Sequence, residues 1–191
     1  MKVIKGEPGY IKKQKKQEII KTFILFGLVA AILILGYIQT GTKLNMLTVF
    51  AILGCLPASK SLVGVITIFP HHSIQMDVVQ EISSQTEHLT VAYDMVITSY
   101  EKIMPIACIV ISDHTICGYT DSTKVDVAYA SNHIKNTLAQ NQMGQVSVKI
   151  FSDYVAFITR AEGMNNIAAI EQPNTTEREE RMKQVILNLS F

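Results

Sequence analysis

Two long apolar runs near the start of the chain, 22–38 and 44–69, stand apart from the rest, where apolar positions recur in the shorter rhythms of helices and strands. The first, TFILFGLVAAILILGYI, carries no charge and falls at the short end of what crosses a bilayer's hydrocarbon core. A cleaved signal is disfavoured. The run exceeds a usual signal core, no small-x-small cleavage pattern follows it, and a second apolar run comes at once. The pattern predicts a transmembrane hairpin over 22–69. As one helix the second run would be roughly 39 Å long at 1.5 Å per residue, more than the first needs. Helices joined by a short loop should cross similar thicknesses, so the crossing part is expected to stop near Pro57–Lys60, with 62–69 as a juxtamembrane connector.

The remaining residues, 73–191, suit one compact domain. Ser73 is expected to cap a helix with Ile74, Val78 and Ile82 on one stripe, ending near Ser84. Residues 88–99 read as a strand with Thr90, Ala92 and Asp94 alternating against Leu89, Val91 and Tyr93. The β-branched run 106–111 reads as a buried strand, turning at Asp113-His114 into a third strand over 115–119. Val127, Ala130, Ile134 and Leu138 mark a helix started near Asp126, and 145–151 alternates as a fourth strand. A short helix is expected over 154–161. Thr176 with Glu179 forms a capping-box pattern before Met182, Val185, Ile186 and Leu189. The fold class is therefore α/β or α+β: a two-helix hairpin, then one mixed-sheet domain covered by helices.

Charge orients the hairpin. Seven lysines lie in the leader 1–21 against Glu7 and Glu18, whereas the loop 39–45 carries Lys43 alone, so the leader is expected in the cytoplasm. Two spans return the chain to that side. The expected location is the cell membrane, multi-pass, with both the N-terminus and the C-terminal domain cytoplasmic. From residue 70 onward eight lysines and arginines face fourteen aspartates and glutamates, a net charge of minus six. An acidic domain without a basic cluster lacks the footprint of nucleic-acid binding. Cysteine is sparse and odd in number, which is no disulfide framework. Usage of Ile, Lys and Asn points to a bacterial source.

Chemistry-bearing residues are scattered. Lys60, inside or at the edge of the second span, either snorkels to the headgroups or needs an acidic partner that neither span supplies. Asp94, Asp113 and His133 are the candidates for catalysis in the domain. Cys108, Cys117, His114 and Asp113 do not converge on one ion, and no phosphate-binding, zinc-protease or serine-hydrolase motif occurs, so no metal or cofactor is implied. His71-His72 lies in the hinge after the second run, where histidine can respond to pH.

The element order over 85–151 is similar to the core of the restriction-endonuclease-like nucleases. That resemblance implies a metal-ligand position at Asp94. The family's acidic residue and lysine, one residue apart on a following strand, are replaced here by Thr-Ile-Cys-Gly-Tyr-Thr at 115–120, so kinship would imply an inactive relative. The reading favoured by the residues is a membrane protein whose cytoplasmic domain is a tethered binding or scaffolding module; the alternative is a membrane-anchored enzyme with an unrecognised site. Its expected partners are the lipid bilayer and a membrane or cytoplasmic protein. Small residues in both spans also permit association between copies.

Overall fold

The structure, a computed structural model, describes residues 4–42, 45–171 and 176–190. Its chain divides into two compact units, Ile11–His72 and a second made of Met1–Tyr10 with Ser73–Phe191.

The first unit is built on α1 (Tyr10–Thr40) and α2 (Met46–Ile68). Both are long and apolar enough to cross a membrane. The helix of the first run starts a dozen residues before its apolar stretch, so most of the lysine leader is helical. α2 begins at the cap Asn45, whose side chain accepts the Thr48 N–H, and runs unbroken through Pro57 and Lys60. No break in the backbone marks the expected boundary there; Leu44 and Lys43 lie outside the described residues.

Contacts between the helices fall into a strict register. The Thr22 and Ser61 hydroxyls are 2.8 Å apart. A Cβ on Gly54 would lie 3.1 Å from Val29, and one on Gly36 would strike Leu47 at 2.9 Å. The two numbers of each pair add to 83, so the helices are antiparallel, and the contacts recur every seven residues. A seven-residue seam is the packing of a left-handed helix pair. Its α2 side is small, with Ala51 and Ala58 fully buried alongside Gly54 and Ser61. The large apolar side chains point away: Phe23, Leu28, Ile38, Phe50, Leu56 and Ile66 are exposed. A soluble helix pair would bury those residues and expose the hydroxyls. Small and polar inside, large and apolar outside is the arrangement expected in lipid, and two helices of this kind suggest membrane association.

The second unit is a four-stranded sheet flanked by helices on both faces. Its elements are α3 (Met76–Gln85), β1 (Thr90–Thr98), β2 (Ile103–Ser112), β3 (Thr115–Tyr119), α4 (Val127–Gln140), β4 (Ser147–Phe151), α5 (Tyr154–Glu171) and α6 (Thr176–Leu189). β1, β2 and β3 form an antiparallel meander, and β4 joins parallel to β3 through α4. α4 and α6 cover one face over Ile109, Ile111, Ile116, Ile134, Met182 and Ile186. α3 and α5 cover the other over Ile82, Tyr93, Cys108, Val110, Cys117 and Phe157. Gly118 permits the close approach of β3 to its neighbours: a Cβ there would lie 2.6 Å from the end of Ile150 and 3.2 Å from Ile109.

Several expected boundaries move. α3 starts at Met76, and its cap is Gln75 with no side-chain bond, so Ser73 does not cap it. α5 runs through Glu171, well past the expected 161, because Met164 and Ala168 continue its buried face. Thr176 is the first residue of α6, which puts the capping position at 175, outside the described residues.

Candidate functional site

Asp94 is the most constrained of the candidates. It sits within β1 with φ of +53°, a conformation that Asp and Asn tolerate better than other side chains. The inward-facing residues change phase there. Ala92 faces the α4/α6 side and Tyr93 the α3/α5 side, yet Met95 and Ile97 face α4/α6 again. The facing strand slips at the same level, Cys108 on one side and Ile106 and Met104 on the other. The plain alternation expected for β1 therefore fails at Asp94, which is 2% exposed and not solvated.

Its carboxylate holds two distant pieces of chain. Oδ2 accepts the Gly9 N–H at 2.7 Å, and Oδ1 accepts the Ile74 N–H at 2.9 Å. Gly9 directly precedes α1, and Ile74 follows α2 after a short link. The start of the leader, up to Tyr10, is thus part of the domain. The Tyr93 N–H donates to the Gly6 carbonyl at 2.8 Å, and the Lys5 ammonium donates to the Ser190 carbonyl. Further along β1, the Val96 N–H donates to Ser190 Oγ at 3.1 Å. The open edge of β1, which would otherwise present unpaired backbone groups, is covered by both ends of the chain.

This docking was missed by the charge-based reading of the leader. A signal was present: Gly6-Glu7-Pro8-Gly9 has turn composition, and both glycines adopt positive φ, +91° and +83°.

Asp113 lies elsewhere. From Ala107, opposite Asp94, to Asp113 is six residues along β2, on the order of 20 Å at about 3.3 Å each. Asp113 and His114 form the expected hairpin turn, which α6 grips. Glu179 accepts the Asp113 N–H and the Thr90 hydroxyl, both at 2.8 Å, so this carboxylate reaches the sheet. Arg178 lies 3.5 Å from the Asp113 carboxylate and within 3.0 Å of each ring nitrogen of His114. Beside this grip a cavity of about 500 Å³ opens between the end of α4 and the start of α6. Its walls include Asn141, Gln142, Glu177, Arg178 and Arg181, and neither Asp94 nor His133 lines it. Arg181 is itself paired with Glu177 at 2.5 Å.

His133 is half-buried on α4, its ring stacked on Tyr129 with centroids 6.2 Å apart. Its Nε2 is buried and has no hydrogen-bond partner among the described residues. The other face of this corner is structural: Tyr129 bonds to Ser99, and the Lys102 ammonium sits 4.7 Å from the Tyr129 ring and 3.3 Å from Asp126. Asp94, Asp113 and His133 each engage different partners.

Cys108 and Cys117 are buried on the α3/α5 side, and burial pushes both thiols up, away from the reactive thiolate. Among the described residues no group of three His, Cys, Asp or Glu side chains is placed to hold a metal ion. No protein-family model, curated protein or solved structure gave a significant match to the chain. Asp94 is therefore read on its own contacts, and those leave it as a clamp on the chain, with both oxygens engaged by backbone amides.

Lys60 is exposed on α2. By the inter-helix register it is level with Phe23, two residues from the last lysine of the leader, Lys21. His71, beyond α2, is half-buried; burial and the nearby Lys15 charge hold its imidazole below the usual range.

Proposed function

We propose that the chain is a membrane-tethered binding module, its helical pair crossing the bilayer twice and its α/β domain held at the cytoplasmic face. The observation that carries this reading is the double hold of Asp94 on Gly9 and Ile74. Residues before α1 and after α2 fold into one domain, so the helical pair leaves that domain and returns to it. Both ends of the pair then lie on one side, and the lysine-rich start of α1 favours the cytoplasm.

The binding role rests on two features. The Asp94 carboxylate is buried and engaged by two backbone amides, and Asp113 lies in the surface turn that α6 holds. The last turns of α5 expose Ile167 and Ile170, the latter 84% exposed, one turn apart on the domain surface. Adjacent exposed aliphatics suit a protein partner. An enzyme reading would rest on His133 and its unpartnered Nε2. Affinity purification of the tagged full-length protein from membranes is expected to return a stoichiometric partner that Ile167→Glu with Ile170→Glu abolishes. Retention of the same partner by that variant would contradict docking at α5.

A further inference from the structure

The antiparallel register places charge and apolar surface together at one level of the helical pair. Lys21 and Lys60 are separated by about 3 Å along the axis, and Lys16 lies about 7.5 Å further from the apolar stretch, at 1.5 Å per residue. Lys21 and Lys60 thus fit within the roughly 5–7 Å of polar headgroup layer on each side of a bilayer, with Lys16 at its outer margin. The three lysines flank the pair on two sides, Lys21 and Lys60 on one and Lys16 on the other. Helical residues are about 100° apart, so Lys16, one residue after Lys15, and Lys21, one residue before the seam residue Thr22, fall on opposite flanks of α1. Lys60 occupies a flank of α2, one residue before the seam residue Ser61.

Exposed aliphatics share this level. Ile19 and Ile20 on α1, and Val63 and Ile66 on α2, are all open to the surroundings between the lysines. Over residues 10–21 and 60–72 six lysines face a single acidic residue, Glu18, which is 3.7 Å from Lys21. The opposite end of the pair, 36–48, carries Lys43 alone.

We propose that this collar binds the headgroups of anionic phospholipids in the cytoplasmic leaflet. The inference rests on the two-span reading. Ammonium groups on both sides of the pair with aliphatic side chains between them match lipid, with phosphate on one side and acyl chain on the other. A soluble polyanion would leave Val63 and Ile66 unsatisfied. The lysine stems extend along the apolar surface and carry their charges outward.

The chain has no tryptophan, so Ile66→Trp supplies a single fluorescent reporter within the collar. Full-length protein with this reporter is reconstituted into phosphatidylcholine vesicles holding either brominated phosphatidylglycerol or brominated phosphatidylcholine at equal fraction. Quenching should favour phosphatidylglycerol on the order of threefold, and the preference should vanish in Lys16→Gln/Lys21→Gln/Lys60→Gln. Equal quenching by the two lipids with the lysines intact would overturn the proposal. So would loss of the preference on adding inorganic phosphate at constant ionic strength, since the collar would then take free phosphate. Quenching by neither lipid would overturn it as well, and that result alone would also contradict the bilayer location.

Discussion

Asp94→Ala should destabilise the domain by roughly 3 kcal/mol, since hydrogen bonds to a charged group contribute about 1.5–3 kcal/mol each and two are lost. Both partners are backbone N–H groups from segments far apart in sequence, and neither Gly9 nor Ile74 gains a replacement acceptor from alanine. Alanine also tolerates the +53° φ less well than aspartate. Asp94→Asn keeps that tolerance and one carbonyl oxygen, so its loss should be smaller. The measurement is urea unfolding of the full-length protein in detergent, combined with amide hydrogen exchange. Exchange should accelerate at Gly9 and Ile74 before the rest of the sheet opens. Unchanged protection at both amides in Asp94→Ala would contradict the clamp.

Phe157→Ala is expected to cost about 3–5 kcal/mol, the usual range for emptying a fully buried phenylalanine site. Phe157 lies at the centre of the α3/α5 side, with no exposed surface and its ring 5.8 Å from that of Tyr119. Its neighbours are held by other contacts. Tyr154 packs edge-on against Tyr119, and its hydroxyl is pushed up first by burial and then by the nearby Glu81 carboxylate, so it remains neutral. A cavity formed here cannot close by a simple shift of one side chain. The same urea titration measures the loss, and a change under about 1 kcal/mol would mean that α5 repacks freely over the sheet.

Much of this architecture is legible in the sequence because local periodicity and burial agree. The β2–β3 hairpin at Asp113-His114, α4 with its Asp126 cap and the β4 strand all follow from spacing alone. Asp126 accepts the Tyr129 N–H, and this bond holds its carboxyl below the usual range. The length of α5 was not legible, since its weakly amphipathic sequence carries Gly163, Asn165 and Asn166 through the middle. Its helix is fixed by packing of Phe157, Ala161, Met164 and Ala168, a tertiary effect.

The candidate residues divide in the same way. Alternation along β1 assigned Asp94 to a polar face, but a single left-handed residue changes the phase of the strand, and only tertiary contacts reveal it. Glu179 showed a helix-cap spacing, yet its carboxylate meets Thr90 and Asp113, residues brought near only by the folded sheet. Lys60 is different. Its expected place near the end of the span rests on matching helix lengths, and the inter-helix register sets it level with Phe23.

The proposed topology, two spans with the domain at the cytoplasmic face, is open to a test by cysteine accessibility. Cys55 is exposed and is first replaced by alanine; Cys108 and Cys117 are buried. Single cysteines are then introduced at the exposed positions Thr42, in the α1–α2 loop, and Asp121, in the domain. With a membrane-impermeant maleimide applied to intact cells, Thr42→Cys should be labelled, and Asp121→Cys only after permeabilisation. Labelling of Asp121→Cys in intact cells would contradict the cytoplasmic placement of the domain.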